Sequence, residues 1–519
     1  MNPAHRDIPH KAHVSRRGFL YGTAGVVGSS ALLYGNARAG TAITPHRKAR
    51  TTDSRFFSRL FDLPSFAEPT DEVTNALRQL GAHGGLMDAA DPLHLPPEDL
   101  ITEPEHSENN PDNPSHTAGT TFFGQFMDHD MTFDETSELG KPTDPETSPN
   151  TRTPSFDLDS MYGRGPSGDP QYYNPLDPIT FRIESGGRFE DLPRDDRMVA
   201  IIPDGRNDEN IMISGLHVAM CLFHNRVVEW IRLRRPGAGD EEVFAEARKQ
   251  VTWHYQWLIL HEFLPLFVGQ PMVDDVLSNG RQFFRPDRPV IPVEFQAAAY
   301  RFGHSMVRPS YLANDDHDPD NPFFGFIFEP TNSPGQDPED LRGSARAPRR
   351  FIGWQTFFDF DDGGVRPNKR IDTKISTPLF RLPLLTIPPQ EPPISLMERN
   401  LLRHLTWEVP SGQAIAETMD APELPPSQLQ DLTQFRVGFE RHTPLFFYIL
   451  REAEFFADGL HLGPVGGRIV AEVIIGLLET DPDSYLSQDP SWRPELPSRN
   501  PGEYTMTDLL RFAGVHPRR

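Results

Sequence analysis

Apolar positions recur at three- and four-residue steps along much of the chain, the spacing of one helix face. In Ile211 to Arg234, for instance, Leu216, Met220, Phe223, Val227, Trp230 and Ile231 fall on a single stripe. The same pattern predicts helices over Gly119 to Phe133, Asp240 to Val268, Pro292 to Val307, Met397 to Leu405, Leu432 to Asp458 and Gly466 to Leu478. Strand-like alternation is scarce. Gly40 to about Pro64 is basic and polar, and Asp88 to Gly119 is rich in Pro, Asp, Glu, Asn and His. Both read as extended segments that wrap something else. The expectation is a mainly α-helical domain with long Pro-rich loops and no internal repeat.

Composition narrows this picture. With 519 residues, 37% of them hydrophobic, the chain can bury a sizeable core in one large domain or in roughly two to four smaller ones. The 53 prolines are about twice the usual share, so long uninterrupted elements should be few. A net charge of −24 disfavours nucleic acid and anionic membrane surfaces as partners, because both repel such a surface. The single cysteine, Cys221, excludes an intramolecular disulfide framework and Cys-based zinc modules.

The first residues suggest an address. Ser15-Arg16-Arg17-Gly18-Phe19-Leu20, a small and apolar run from Tyr21 to Tyr34, and Ala37-Arg38-Ala39 have the order of a twin-arginine export signal with an A-x-A cleavage site. The expected signal is 1–39, with Gly40 as the mature N-terminus. The translocase would then be a partner during export, and the destination periplasmic or extracellular. The apolar run is shorter than the ~20 residues a bilayer span needs, and no later stretch is expected to span one. Twin-arginine export carries folded proteins, which suits a chain that takes up a cofactor before it leaves.

Five polar clusters could carry chemistry. Gly124-Gln125-Phe126-Met127-Asp128-His129-Asp130 lies in an aromatic stretch. On a helix Gln125 and His129 share a face, while Asp128 and Asp130 point elsewhere. Thr153-Pro154-Ser155-Phe156-Asp157-Leu158-Asp159 offers a hydroxyl and carboxylates at alternate positions with a carbonyl at Ser155, the hard oxygen donors that Ca²⁺ selects, and Asp130 would add a third carboxylate. Asp204-Gly205-Arg206-Asn207-Asp208-Glu209-Asn210 precedes the Ile211 helix, and its acids and Asn are explained as caps; Arg206 is not. Tyr300-Arg301-Phe302-Gly303-His304 and Asn400-Leu401-Leu402-Arg403 complete the set. His261-Glu262 begins like a zincin motif, but Pro265 stands where the second His must be. His217 and His224 lie seven apart on one helix with no third ligand near, and read as packing or surface residues. The acidic run Asp315 to Asp320 reads as a solvated loop.

Taken in order, from about Ala118 to Leu478, these clusters resemble the animal-type haem peroxidases of the peroxidase-cyclooxygenase superfamily, and more closely their bacterial, secreted members. The resemblance implies a helical haem peroxidase domain over 118–519, with 40–117 as an extended segment wrapping it. It implies that His129 and Gln125 stand on the distal side of haem b with Arg206 as the distal arginine. Asp128 and Glu209 match the carboxylates that can be esterified to haem. His304 is implied as the iron ligand, Asn400 as acceptor of its imidazole hydrogen bond, and Arg301 and Arg403 as propionate partners. Asp130, Thr153, Ser155 through its carbonyl, Asp157 and Asp159 match a calcium site, with Asp159 where mammalian members usually carry Ser.

The implied activity is reduction of hydrogen peroxide through a ferryl haem with oxidation of a small donor: a halide, pseudohalide or phenolic compound. Asn210 stands where a chloride-oxidising mammalian member has a Met linked to haem, which disfavours chloride. The runner-up is a fatty-acid dioxygenase of the same superfamily, whose radical Tyr lies three residues before the proximal His. That position is Arg301, and Tyr300 falls one residue too early.

Overall fold

Ten α-helices of eight residues or more are found among the described residues: α1 (Asp71–Leu80), α2 (Gly119–Met131), α3 (Ile211–Arg234), α4 (Asp240–Leu258), α5 (Gln270–Asn279), α6 (Leu396–Thr406), α7 (Gly412–Met419), α8 (Leu445–Ala457), α9 (Pro464–Thr480) and α10 (Met506–Ala513). The computed structural model describes residues 53–516 except 107, 316, 317, 319, 330–334, 336 and 387–389. The expected export signal at 1–39 lies outside the described residues, as do Asp316, His317 and Pro319 of the acidic run. Strands form four two-stranded antiparallel sheets among the described residues. The fold is therefore mainly helical, with long irregular connections, as the periodicity predicts.

Helix α3 matches its expected bounds. Asn210 caps it, its Oδ1 accepting from the Ile213 N–H at 3.0 Å, which satisfies one of the first-turn donors. Leu216, Met220, Phe223, Val227 and Ile231 are buried, each contributing about 1.5–3 kcal/mol relative to exposure. By length and hydropathy α3 passes the test for a membrane span, contrary to the expectation that no segment after the leader would. Its most apolar 18 residues are 78% buried within the protein, the pattern of a core helix.

Three predicted helices differ. The Asp240 to Val268 segment is helical throughout, but a π-turn at Ile259–Phe263 joins α4 to Leu264–Val268. Pro265 lacks the N–H that a regular helix would direct back one turn. The Pro292 to Val307 segment breaks at Ala298 (φ −132°, ψ −68°) into a short helix, Val293–Ala297, and a 3₁₀ segment, Ala299–Met306. In the Leu432 to Asp458 segment only α8 is α-helical, because Gly438 takes a φ of +84° and Pro444 immediately precedes the helix. Four helices, α1, α5, α7 and α10, were not expected from the pattern.

Helix α2 is fixed by close packing. A Cβ on Gly119 would stand 2.4 Å from the Phe358 ring, so only glycine lets the helix start there. Phe123 stacks on Phe263 of the π-turn at 3.8 Å between centroids, and Phe126 meets Tyr255 of α4 edge-on at 6.0 Å. The described part of the N-terminal segment lies against this core: Phe57 packs on Trp407 at 4.9 Å, and the Leu60 and Phe61 N–H groups donate to the buried Glu294 carboxylate.

Candidate active site

One cavity collects all but one of the haem-directed candidates. Its lining includes Gln125, Asp128, His129, Arg206, Glu209, Tyr300, Arg301, His304, Arg399 and Arg403. Asn400 stands behind His304.

Helix α2 supplies the first wall. Thr121, Gly124, Gln125 and Asp128 line the cavity at three- and four-residue steps. The expectation that both acids leave the Gln125–His129 face is thus corrected: Asp128 shares the cavity, being three residues from Gln125, and only Asp130 turns away. The Asp128 carboxylate lies 3.9 Å from Arg206 and 3.8 Å from Arg301.

His129 is buried, and its Nδ1 is 2.9 Å from Asn207 Oδ1. Since that oxygen only accepts, Nδ1 carries the hydrogen and Nε2 keeps its lone pair. Asn207 Nδ2 in turn lies 3.1 Å from His217 Nδ1. Burial holds the His129 pKa down at about 4, so the ring is neutral near neutral pH. Asn207 and Asp204 were missed as site residues by reasoning from sequence, which absorbed them into the helix cap. Their only signal was their place beside Arg206. His217, taken as packing or surface, is a buried partner of that network.

The 3₁₀ turn Gly205–Asp208 presents Arg206. Asp204 binds its guanidinium at 2.7 and 3.1 Å, and the Thr132 and His129 carbonyls each accept from it at 3.0 Å. The Phe133 ring lies 3.9 Å from the Arg206 guanidinium carbon. Burial lowers Arg206's affinity for its proton, but Asp204 outweighs this and its pKa is raised. Glu209 accepts from Gln125 Nε2, and burial pushes its carboxyl up to about 8. Asn210, besides capping α3, donates to Gln125 Oε1 at 3.3 Å.

The second wall is the 3₁₀ segment Ala299–Met306, where side chains three apart eclipse. This puts Arg301 and His304 on the same side. His304 is half-buried in the cavity wall, and desolvation there lowers its pKa to about 3. Its Nδ1 is 2.7 Å from the Asn400 side-chain amide. The group facing it is Asn400 Nδ2, which only donates; with the amide turned over, its oxygen accepts from Nδ1–H and Nε2 is left free as a ligand. Arg301 donates to the Gln296 carbonyl at 2.7 Å. Arg403 pairs with Asp134 and with Ser137 Oγ at 3.0 Å. Arg399, not singled out from the sequence, adds a third guanidinium to this side of the lining. The Tyr300 hydroxyl donates to the Gly124 carbonyl at 3.2 Å.

Asp130 lies outside the cavity, buried, accepting from the Leu158 N–H and the Ser160 hydroxyl at 3.1 Å each. Asp130, Asp157 and Asp159 bring one carboxylate oxygen apiece within 4.8 Å of one another. Burial raises the pKa of all three, that of Asp157 to about 7. The buried Tyr255 hydroxyl lies beside Asp130 without an aligned hydrogen-bond partner. The Thr153 N–H donates to Asp159 at 2.9 Å, and the Ser155 hydroxyl to Asp481.

Residues 184–335 match the sequence profile of the family described as animal haem peroxidase, a span that holds Arg206, Glu209 and His304. Chorion peroxidase of Drosophila melanogaster is 35% identical over 323 residues, covering 60% of this chain and 37% of the relative. Thyroid peroxidase of Homo sapiens is 26% identical over 107 residues, 20% of this chain and 11% of the relative. The chain spans only 7 to 37% of the lengths of the first curated relatives it matches. Peroxidase A from Dictyostelium discoideum superposes with a TM-score of 0.57 at 15% identity, covering 88% of this chain and 93% of that one. Fatty acid alpha-dioxygenase of Oryza sativa gives a TM-score of 0.55 at 14% identity, over 84% and 77%. The fold is thus shared with these two structures, and residues 184–335 are similar to the animal haem peroxidase family.

The residues present fit a haem. The lining pairs two neutral imidazoles with the apolar side chains of Phe302, Val307, Phe328, Leu379, Leu382 and Leu396, and with guanidinium groups for carboxylates.

Proposed function

We propose that this chain is a haem-dependent peroxidase that reduces hydrogen peroxide and oxidises a small donor. The donor would be bromide, iodide, thiocyanate or a phenolic compound. The observation that carries this reading is the joint placement of His129, Arg206 and Asn400-backed His304 around one cavity. His304 would hold the iron through Nε2, and Arg301, Arg399 and Arg403 would face the propionates. A bound haem supplies redox-active iron that takes two oxidising equivalents from peroxide. His129 Nε2 accepts the proton of the incoming peroxide and returns it to the leaving oxygen. Arg206, held by Asp204, stabilises the negative charge that develops on that oxygen.

Asp128 and Glu209 are the carboxylates that an ester to the haem periphery would use. Calcium is proposed at Asp130, Asp157 and Asp159 with Thr153 and the Ser155 carbonyl, three carboxylates suiting a hard dication. Export by the twin-arginine route is proposed for 1–39; N-terminal sequencing of the exported protein should begin at Gly40.

The test is the absorption spectrum of the haem-supplemented chain before and after one equivalent of peroxide. The Soret band should shift, then return when a donor is added. Haem that ignores peroxide while fatty acid and oxygen are consumed would move the assignment to the dioxygenase; failure to bind haem would sink both.

A further inference from the structure

We propose that Arg152 is a positioning residue that couples the carboxylate cluster at Asp130, Asp157 and Asp159 to Arg206 in the cavity. It does so as one cation shared between two anions, Asp159 and Asp204. The inference rests on the calcium and peroxidase readings above.

The geometry is a row of alternating charges. Arg152 Nη1 is 3.4 Å from Asp159 Oδ1, and its Nε is 3.2 Å from Asp204 Oδ2. Asp204 reaches Arg206 Nη2 at 2.7 Å. The Arg152, Asp204 and Arg206 side chains are only 17%, 1% and 12% exposed, so solvent and salt screen them little. Asn150 pins the loop: its Oδ1 accepts from the N–H groups of Phe133 at 2.8 Å and Arg152 at 3.3 Å, and its Nδ2 donates to the Met131 carbonyl at 3.0 Å. The backbone of Arg152 is thereby fixed to the end of α2, and its guanidinium is left to divide itself. The Nε of Arg152 makes no aligned hydrogen bond, so its hold on Asp204 is Coulombic and can yield when the balance of charge changes.

The consequences run in both directions. A cation at the cluster neutralises Asp159 and leaves Arg152 to Asp204. Asp204 then divides its charge between two guanidinium groups, and Arg206 presents more of its own to the cavity. Conversely, a loss of charge at Asp204 lets Arg152 settle on Asp159, where it competes with the bound cation. Thermodynamic linkage requires the two effects to be equal. A second route from cluster to cavity exists along α2, where Asp130 follows His129, but it acts on His129 and does not involve Arg152.

The test is a double-mutant cycle read in calcium affinity, measured calorimetrically on the full chain after chelation. Asp204→Asn should weaken calcium binding by about fivefold, and in the Arg152→Gln background the same change should have no effect. Arg206→Gln, which removes the other partner of Asp204 and needs no buried carboxylate to be altered, should strengthen binding in the parent and again do nothing with Arg152→Gln. Equal effects in both backgrounds, no effect in either, or no calcium binding by the parent would each overturn the proposal. In the haem-loaded chain, fluoride should bind more tightly with calcium than with chelator, and Arg152→Gln should remove the difference. A chain that takes up no haem would defeat the peroxidase reading, while the calcium cycle would still decide the role of Arg152.

Discussion

The Nδ1 of His129 lies 2.9 Å from the side-chain oxygen of Asn207, and both residues are buried. This one contact sets which imidazole nitrogen faces the cavity as a base. Asn207→Ala should therefore keep haem but slow peroxide reduction about 10- to 100-fold, the usual cost of losing a group that orients an active imidazole. Stopped-flow spectroscopy checks it; an unchanged rate would show that His129 needs no such support. Because burial holds His129 down at about 4, the parent rate should be flat at neutral pH and fall as pH drops through that value. Asn207→Asp puts an anion beside the ring and should move this acid limb upward.

His304→Ala should abolish haem uptake or leave haem weakly held, since no second imidazole stands at that position. A normal Soret band in the variant would refute the ligand assignment. Asn400→Leu should retain haem and shift the iron's reduction potential upward, because a less anchored, less electron-donating imidazole stabilises the oxidised iron less. Redox titration of the two proteins gives the sign.

Much of this site was legible because its residues sit in short runs with helical spacing. Gln125 and His129 are four apart, and Arg301 and His304 three apart, so each pair shares a face whether the backbone is α or 3₁₀. Asp128 was misplaced by the bare wheel because a cavity wider than one stripe admits the residue three along from Gln125. Asn207 and Asp204 were hidden because a polar run before a helix is explained well enough by capping. What decides their role is a tertiary contact with α2, His129 lying 78 residues before Asn207, which no local pattern encodes. The break at Ala298 and the late start of α8 were missed for a related reason: apolar periodicity continues across Ala298, Gly438 and Pro444 although the backbone does not.

Asp157→Ala should lower both calcium content and thermal stability. Three carboxylates brought this close, Asp130 buried and Asp157 and Asp159 half-buried, repel one another unless a cation or protons intervene. Chelation of the parent should lower its Tm as well, and the variant should be insensitive to chelator. Unchanged metal analysis in Asp157→Ala would remove the site.

His404 makes a prediction about acid stability. Its Nδ1–H donates to the Asn400 carbonyl at 2.9 Å, and its Nε2 accepts from the Phe446 N–H at 3.0 Å. A ring that both donates and accepts must be neutral, and burial lowers its pKa from 6.5 to about 4. Above 6.5 neither folded nor unfolded chain protonates this ring, so it adds no pH dependence. Between 6.5 and about 4 only the unfolded chain takes up the proton, so stability falls as pH falls, by up to about 1.4 kcal/mol per pH unit. Below about 4 both states are protonated and the slope ends. Half-buried Glu209 and buried Glu452, both raised to about 8, act oppositely over part of that range, so the parent curve alone does not isolate His404. His404→Gln does: the variant should lose stability at neutral pH through its imperfect hydrogen bonds, and its deficit relative to the parent should shrink as pH is lowered toward 5. Urea unfolding of the haem-free proteins at several pH values measures that difference. A deficit independent of pH would mean that the ring is not held neutral behind Asn400.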